Sequence, residues 1–249
     1  MATLVLLDTR IFAGAADLTG HGNRVELTAD LEEKKTTPFG NGGWQTVLGG
    51  LFSTSVAAAG QWEASADSAS VDPFSWDGLI GRSPAPWTFC PEGATAGELA
   101  WFTRALRTSY KLGDVVGEVA PWDAAAAGSA PLLRGRVAHP PGTARTAAGS
   151  GTTIELGALT ASQRLYAALH LLSVAGTGSP SITVRMESDD SAAFTSPTTR
   201  ATFSAATAAS GRAQFVSAAG PVTDTWWRVA WSVTGTAPSF LFLAALGIA

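Results

Sequence analysis

The chain has 249 residues, of which 46% are hydrophobic and 14% charged, with 16 basic and 20 acidic side chains and a net charge of −4. That hydrophobic content excludes a disordered chain, and the length is enough to bury one large core or two smaller ones. The single Cys90 excludes an intrachain disulfide and a Cys-rich zinc site, and the lack of a basic stripe argues against sequence-specific duplex binding. Charged residues fall well below the roughly 25% of an average soluble domain. A surface of Ala, Gly, Ser and Thr suits a chain buried against copies of itself, although a high-GC genome inflates Ala and Gly equally well.

Residues Met1 to Asp8 are apolar but short, with no basic stretch before them and with Asp8 and Arg10 close behind. They read as an edge strand or arm, not as a signal peptide or membrane span. No other run approaches the ~18 apolar residues of a spanning helix, so the sequence reads as a soluble protein. Val25, Leu27, Ala29 and Leu31 alternate with polar residues, which predicts a half-buried strand over 23–31. Lys34 to Thr37 extend it until Pro38 and Gly40-Asn41-Gly42-Gly43 turn the chain. Structure resumes at Trp44 to Leu48, is expected to break at Gly49-Gly50, and continues as a strand over 51–66.

Asp72-Pro73 opens a helical segment through Phe74, Trp76, Leu79 and Ile80, with Asp72 as N-cap, Asp77 in the first turn and Gly81 as the stop. Leu99 to Leu112 fits either periodicity; strands are favoured because Val115, Val116 and Val119 follow. Cys90, closing Trp87-Thr88-Phe89, reads as a small buried hydrophobe in a strand. The four alanines between Asp123 and Gly128 predict a short helical turn, and Leu132 to Val137 a strand.

Residues 143–151 are small and polar and read as a linker or long loop. The domain reading is therefore 1–142, then this connector, then an all-β half over 152–249. In that half, strands are expected at 152–159, 165–174, around Ile182, Val184 and Met186, and at 199–203, 213–216, 226–233 and 239–245. Short strands at regular spacing point to a sandwich or barrel. The fold class is thus mainly β, with one short helix in the N-terminal half.

Catalytic signatures are missing from the sequence. His21, His139 and His170 are far apart and in no metal-ligand spacing. His170 sits out of phase with Leu169 and Leu171, which sends it outward or into a polar interface. There is no Gly-x-Ser-x-Gly elbow, no Walker loop and no dinucleotide fingerprint. Glu187-Ser188-Asp189-Asp190-Ser191 is an acidic cluster with calcium-type oxygens, but it reads better as a solvated strand end. The expectation is no enzyme, no cofactor and no metal. Trp226, Trp227 and Trp231 share one strand. Either Trp227 and Trp231 fill the core with Trp226 at a subunit contact, or the strand stacks on sugar rings.

Several segments resemble the tail tube and major tail proteins of siphophages. They are Asp17-Leu18-Thr19-Gly20 through Asn23-Arg24-Val25-Glu26-Leu27, then Lys35-Thr36-Thr37-Pro38-Phe39-Gly40, then Leu48-Gly49-Gly50-Leu51 with Gly60-Gln61-Trp62-Glu63-Ala64. Near the end, Thr223-Asp224-Thr225-Trp226-Trp227-Arg228-Val229 and Gly235-Thr236-Ala237-Pro238-Ser239 resemble the closing pattern of the same family. Gln61-Trp62-Glu63 departs from the more usual Phe/Trp-Asp. The resemblance implies a tail-tube-like β-sandwich or barrel and hexameric rings stacked into a hollow tube. It also implies DNA in transit without sequence-specific binding, tape measure and tail terminator proteins as partners, no membrane partner, and residence in the virion tail after synthesis in the host cytoplasm. On this reading Glu32, Glu33, Lys34, Lys35, Phe39, Trp44 and Trp226 are the expected interface residues, with loop 32–43 between rings. Another virion or capsid decoration protein and a carbohydrate-binding sandwich used in host adsorption are the alternative readings.

Overall fold

The computed structural model describes residues 5–39, 41–63, 70–111, 113 and 115–249. In chain order the strands are β1 (Arg10–Ala13), β2 (Ala16–Asp17), β3 (Gly22–Lys35) and β4 (Val47–Gln61), followed by helix α1 (Val71–Ile80). Then come β5 (Ala85–Cys90), β6 (Leu99–Arg107), β7 (Pro121–Gly128), β8 (Leu133–His139), β9 (Gly149–Ser150) and β10 (Ile154–Glu155). The chain closes with β11 (Arg164–Asp189), β12 (Thr198–Thr202), β13 (Ala213–Ala219) and β14 (Trp226–Ile248). Among the described residues the fold is mainly β with one helix, as the sequence patterns predict. No helix among the described residues is long and apolar enough to cross a membrane.

The named strands pair antiparallel throughout, and the main path runs β12-β11-β14-β8-β6-β5-β1-β2. A branch leaves β6 through β7 to β4 and ends on β3. The N-terminal core gathers Ile11, Leu18, Val56, Val71, Trp87 and Trp122, with Val25, Leu27, Trp62 and Phe74 against it.

Five local expectations are corrected here. The alanines of 124–127 form strand β7 rather than a helical turn, because they pair with Ser55 to Ala58 of β4. Ala124 and Ala126 are buried on one face, so sheet pairing overrides the intrinsic helix preference of Ala. Gly49-Gly50 does not interrupt β4. The register shifts between Leu31 and Glu33 on the partner strand, and the glycines give that bulge its room. A Cβ at Gly49 would lie 3.1 Å from Leu31 Cδ2, and one at Gly50 2.8 Å from Glu32 Oε2. The N-cap of α1 is Ser70, not Asp72. Pro73 is tolerated inside the first turn, so the helix begins earlier, and the Asp72 carboxylate accepts the Tyr110 hydroxyl instead. Asp77 lies toward the other end, where its carbonyl accepts from the stop residue Gly81 at 2.8 Å. Finally, Val115, Val116 and Val119 are exposed and in no strand. The far end of the 51–66 strand expectation, residues 64–66, lies outside the described residues.

The C-terminal half is built on one long pairing. β11 and β14 stay in contact from Leu165–Ile248 to Asp189–Trp226. Register shifts near 171–181, with positive φ at Gly176, Gly178 and Ser179, interrupt the regular ladder midway. Their first and last stretches therefore face each other across one core. Leu165, Leu169, Leu171, Phe240 and Phe242 meet Ile182, Val184, Met186, Trp227 and Trp231 there. The sandwich is thus two strands used twice, where the sequence pattern suggests separate short ones. Residues 143–151 run beside it: Arg145 bridges to Phe240, and β9 pairs with Ala230 and Trp231.

A third core lies between the two halves. Phe12, Cys90, Phe102, Leu133 and Val137 pack against Ala168, Leu243 and Ala245. Cys90 is buried there, and burial pushes its thiol up to about 12, helped by the nearby Asp17 charge. His170 seals this contact. Gly14 takes φ +56 in the β1–β2 turn and leaves no room for a Cβ beside Phe74. Its carbonyl accepts from His170 Nδ1 at 2.8 Å, and His170 Nε2 accepts from the Thr88 hydroxyl at 2.7 Å. Both ring nitrogens are therefore committed in the neutral form. The expected polar interface for His170 is a buried one.

Candidate assembly surface

The β3–β4 ribbon places most of the sequence-selected residues. Paired residues share a face, and faces repeat every second residue. Val25↔Ala58, Leu27↔Val56, Ala29↔Thr54 and Leu31↔Phe52 therefore form one continuous stripe. Its root is inside the N-terminal core, where Val56 and Ala58 are buried. Its outer end is not: Leu31 is 48% exposed and Phe52 80%. The stripe outruns the core because β7 stops pairing with β4 at Ser55. Beyond that point the ribbon is two-stranded for about 25 Å, at ~3.3 Å per residue.

The root is pinned where the ribbon leaves the sheet. Thr54 Oγ1 donates to the Ala130 carbonyl at 3.1 Å, and Thr103 Oγ1 donates to the same carbonyl at 3.0 Å. Gly128 opposite has no space for a Cβ, which would fall on Thr54 Oγ1.

The tip is ordered by its own side chains. Asn41 Nδ2 donates to the Trp44 carbonyl at 2.6 Å and to Thr46 Oγ1 at 3.0 Å. Thr37 Oγ1 accepts from the Thr46 amide at 3.0 Å. Gly42 and Gly43 take positive φ, as a turn of this kind needs. Phe39 and Trp44 are exposed at this tip, and Val47, Leu48 and Leu51 are exposed behind it. The ribbon alone thus carries seven large exposed apolar side chains: Leu31, Phe39, Trp44, Val47, Leu48, Leu51 and Phe52.

The charges sit beside this apolar surface. Lys34 pairs with Glu32 along the strand, while Glu33 and Lys35 have no side-chain partner among the described residues. Among the described residues both outer edges are unpaired at this level, since β3 pairs only with β4. A free edge presents a row of N–H and C=O groups ready for another strand.

Trp226 stands elsewhere, on β14 in the C-terminal sandwich, between Glu155 of β10 and Asp189 of β11. It is half-buried. Its neighbours Trp227 and Trp231 are buried, and each donates its indole N–H to a backbone carbonyl, Gly157 at 2.9 Å and Ala147 at 3.0 Å. The aromatic strand therefore fills a core.

Glu187, Ser188 and Asp189 of the acidic cluster are tied to internal partners, while Asp190 is exposed. The buried Glu187 carboxylate accepts from Arg185 Nε at 2.6 Å and from Arg228 Nη2 at 2.8 Å. Asp189 accepts the amides of Ser191 and Ser196, and these hydrogen bonds hold its carboxyl below the usual range. Ser188 donates to Asp224 at 2.6 Å and Arg200 pairs with Asp224 at 2.7 Å, both lowering the Asp224 carboxyl. No group of three His, Cys, Asp or Glu among the described residues is placed to hold a metal ion. The remaining histidines are spread apart: His21 meets Glu63 at 3.1 Å, and His139 stacks on Phe242 with ring centres 3.9 Å apart.

The edge-strand arithmetic was hidden from the sequence. Alternation locates the stripe from Val25 to Leu31, but only the end of β7 at Ser55 reveals which part of it lies outside the core.

No protein-family model matches the chain, and no curated protein matches it. Among solved structures, a chain from the virion of a native gene transfer agent particle aligns with TM-score 0.40 and 18% identity, over 51% of this chain and 95% of that one. A chain from the tail of an empty gene transfer agent particle with C6 symmetry aligns at 0.39 and 18%, over 51% and 94%. The Dit protein of phage SPP1, described as a paradigm of the hub adsorption apparatus in phages infecting Gram-positive hosts, aligns at 0.40 and 11%, over 97% and 99%.

Proposed function

We propose that this chain is a structural subunit of a phage tail, joining copies of itself into rings that stack as a tube around DNA in transit. The observation that carries the reading is the β3–β4 ribbon. It projects an apolar stripe and two open edges beyond the core that roots it. A two-stranded ribbon is marginal in water on its own, and seven exposed large apolar side chains are costly unless something covers them. A heterologous contact, in which each copy lends its ribbon to the next, satisfies edge hydrogen bonds and closes a ring when the rotation permits.

The segments that resemble tail tube proteins support the same reading. Those at 17–27 and 35–64 run along β2, β3, the ribbon tip and β4. The one at 223–240 covers the first part of β14. Tape measure and terminator proteins are the partners this reading carries, and the virion tail is its location. A carbohydrate-binding role draws no support from Trp227 and Trp231, whose faces are buried.

Size-exclusion chromatography with light scattering and negative-stain microscopy of the purified protein tests the proposal. Rings and tubes are the expected result. Closed rings that never stack would retain the tail subunit and discard the tube. A monomer at tens of micromolar would overturn both.

A further inference from the structure

Every buried side-chain nitrogen or oxygen without a hydrogen bond among the described residues belongs to one neighbourhood beneath α1. These atoms are Nε, Nη1 and Nη2 of Arg107 and Nε1 of Trp62. Arg107, the last residue of β6, is only 5% exposed. Its guanidinium carbon lies 5.1 Å from the ring centre of Phe74, 5.7 Å from Trp87 and 6.0 Å from Trp122. Trp62 packs on the same core cluster. Its indole N–H makes no well-directed hydrogen bond, although Tyr110, whose proton goes to Asp72, is its neighbour.

The rings satisfy the faces of the guanidinium by cation–π attraction. They leave its edge donors, which need planar oxygen acceptors, unsatisfied. Among the described residues the nearest elements do not provide one. Asp72 of α1 is held by Tyr110, and Asp123 of β7 faces Lys111 at 3.5 Å. Burial lowers Arg107 only to about 10, so it stays a cation at neutral pH. A buried charge without a partner is costly, and a counter-ion that reached it would relieve that cost.

The cover over this charge is thin. α1 buries only Val71 and Ser75 of its ten residues. It crosses the guanidinium at Gly78, where even a Cβ would be 3.6 Å from Arg107 Nε. Trp76 and Ile80 face outward.

We propose that Arg107 is a carboxylate-binding site that α1 closes in the unliganded chain. The chemistry is a flat carboxylate meeting the guanidinium edge, whose paired N–H donors match its two oxygens. Two sources share that chemistry: a small free carboxylate, and an Asp or Glu side chain of a second copy. The inference rests on Arg107 and α1 alone and does not depend on the ribbon.

The test titrates sodium acetate against sodium chloride at equal ionic strength and pH 7.5, reading tryptophan fluorescence and Tm of the full chain. Sedimentation velocity over a range of protein concentrations runs in parallel. A saturable fluorescence change with a Tm rise of a few degrees, both absent in Arg107→Met, assigns the site to a free carboxylate. Self-association that Arg107→Met abolishes, without an acetate response, assigns it to a second copy. Arg107→Met itself should be at least as stable as the parent, since the unpaired charge is gone. If the parent shows neither an acetate response nor Arg107-dependent self-association, or if the variant keeps the response, the site does not exist. Should the variant fail to fold, a parent without saturable response to acetate and without self-association overturns the proposal by itself.

Discussion

Leu31 and Phe52 face each other across the β3–β4 ribbon, on the same stripe that buries Val56 four residues nearer the root. The same side chains would be core residues if the sheet extended two strands further. In the proposed assembly they are a contact for another subunit. Replacing both with Ser should leave the fold intact, with stability within about 1 kcal/mol of the parent, because solvent-exposed changes of this kind seldom exceed that. Assembly should be lost. Light scattering on the double variant checks it, and normal rings or tubes would remove the stripe from the interface.

Deleting residues 36 to 42 takes away the tip while leaving the paired strands. The expected product is rings that no longer stack, seen by negative stain. Tubes of ordinary length from the deletion variant would show that the tip has no part in ring-to-ring contact.

Acid should weaken the contact between the two halves. Burial lowers His170 to about 4, and burial together with the Arg145 charge does the same for His139, against an ordinary value of 6.5. His139 donates Nδ1–H to the Phe242 carbonyl at 3.0 Å and accepts from Arg145 Nε at 2.8 Å, so it too is locked neutral. Between pH 6.5 and about 4 the unfolded chain binds protons that the folded chain refuses. Stability therefore falls as pH falls through that window and levels below it, by up to roughly 3 kcal/mol per histidine. Urea unfolding at pH 7, 5.5 and 4.5 measures the slope. His170→Gln should be less stable at pH 7 yet show a flatter dependence; an unchanged slope in that variant would rule His170 out as its source.

Glu187 holds two arginines at the end of β11. Removing its carboxylate with Glu187→Ala strands Arg185 and Arg228, and Arg228 also covers the Phe194 ring at 4.2 Å. Both arginines keep some solvent contact, so the cost should be about 2 kcal/mol, below the 3–5 of a fully buried pair. Adding Arg228→Met should recover part of it. A double variant no better than Glu187→Ala would indicate that the arginines rehydrate freely.

Much of this protein was determined locally. Alternation placed β3 and the pieces of β11 and β14, because a half-buried strand must show period two whatever its partners, whereas β6 fitted either period and was favoured as a strand on account of valines that form none. Gly81 as the stop of α1 was legible for a similar reason: helix ends are chosen by nearby residues. The absence of metal-ligand spacing among His21, His139 and His170 was also a matter of sequence alone. The tertiary structure decided what depends on partners far along the chain. Ala124 to Ala127 became a strand only because β4 offers Ser55 to Ala58 a pairing distance away. β11 and β14 each continued past their glycines because each supplies the other's hydrogen bonds. His170 found Gly14 and Thr88 across more than eighty residues of chain. The ribbon tip could be located from Pro38 and the glycines after it, but its apolar stripe became a surface only because β7 ends at Ser55. Periodicity states which residues share a face; only packing states whether that face meets a core or a neighbour.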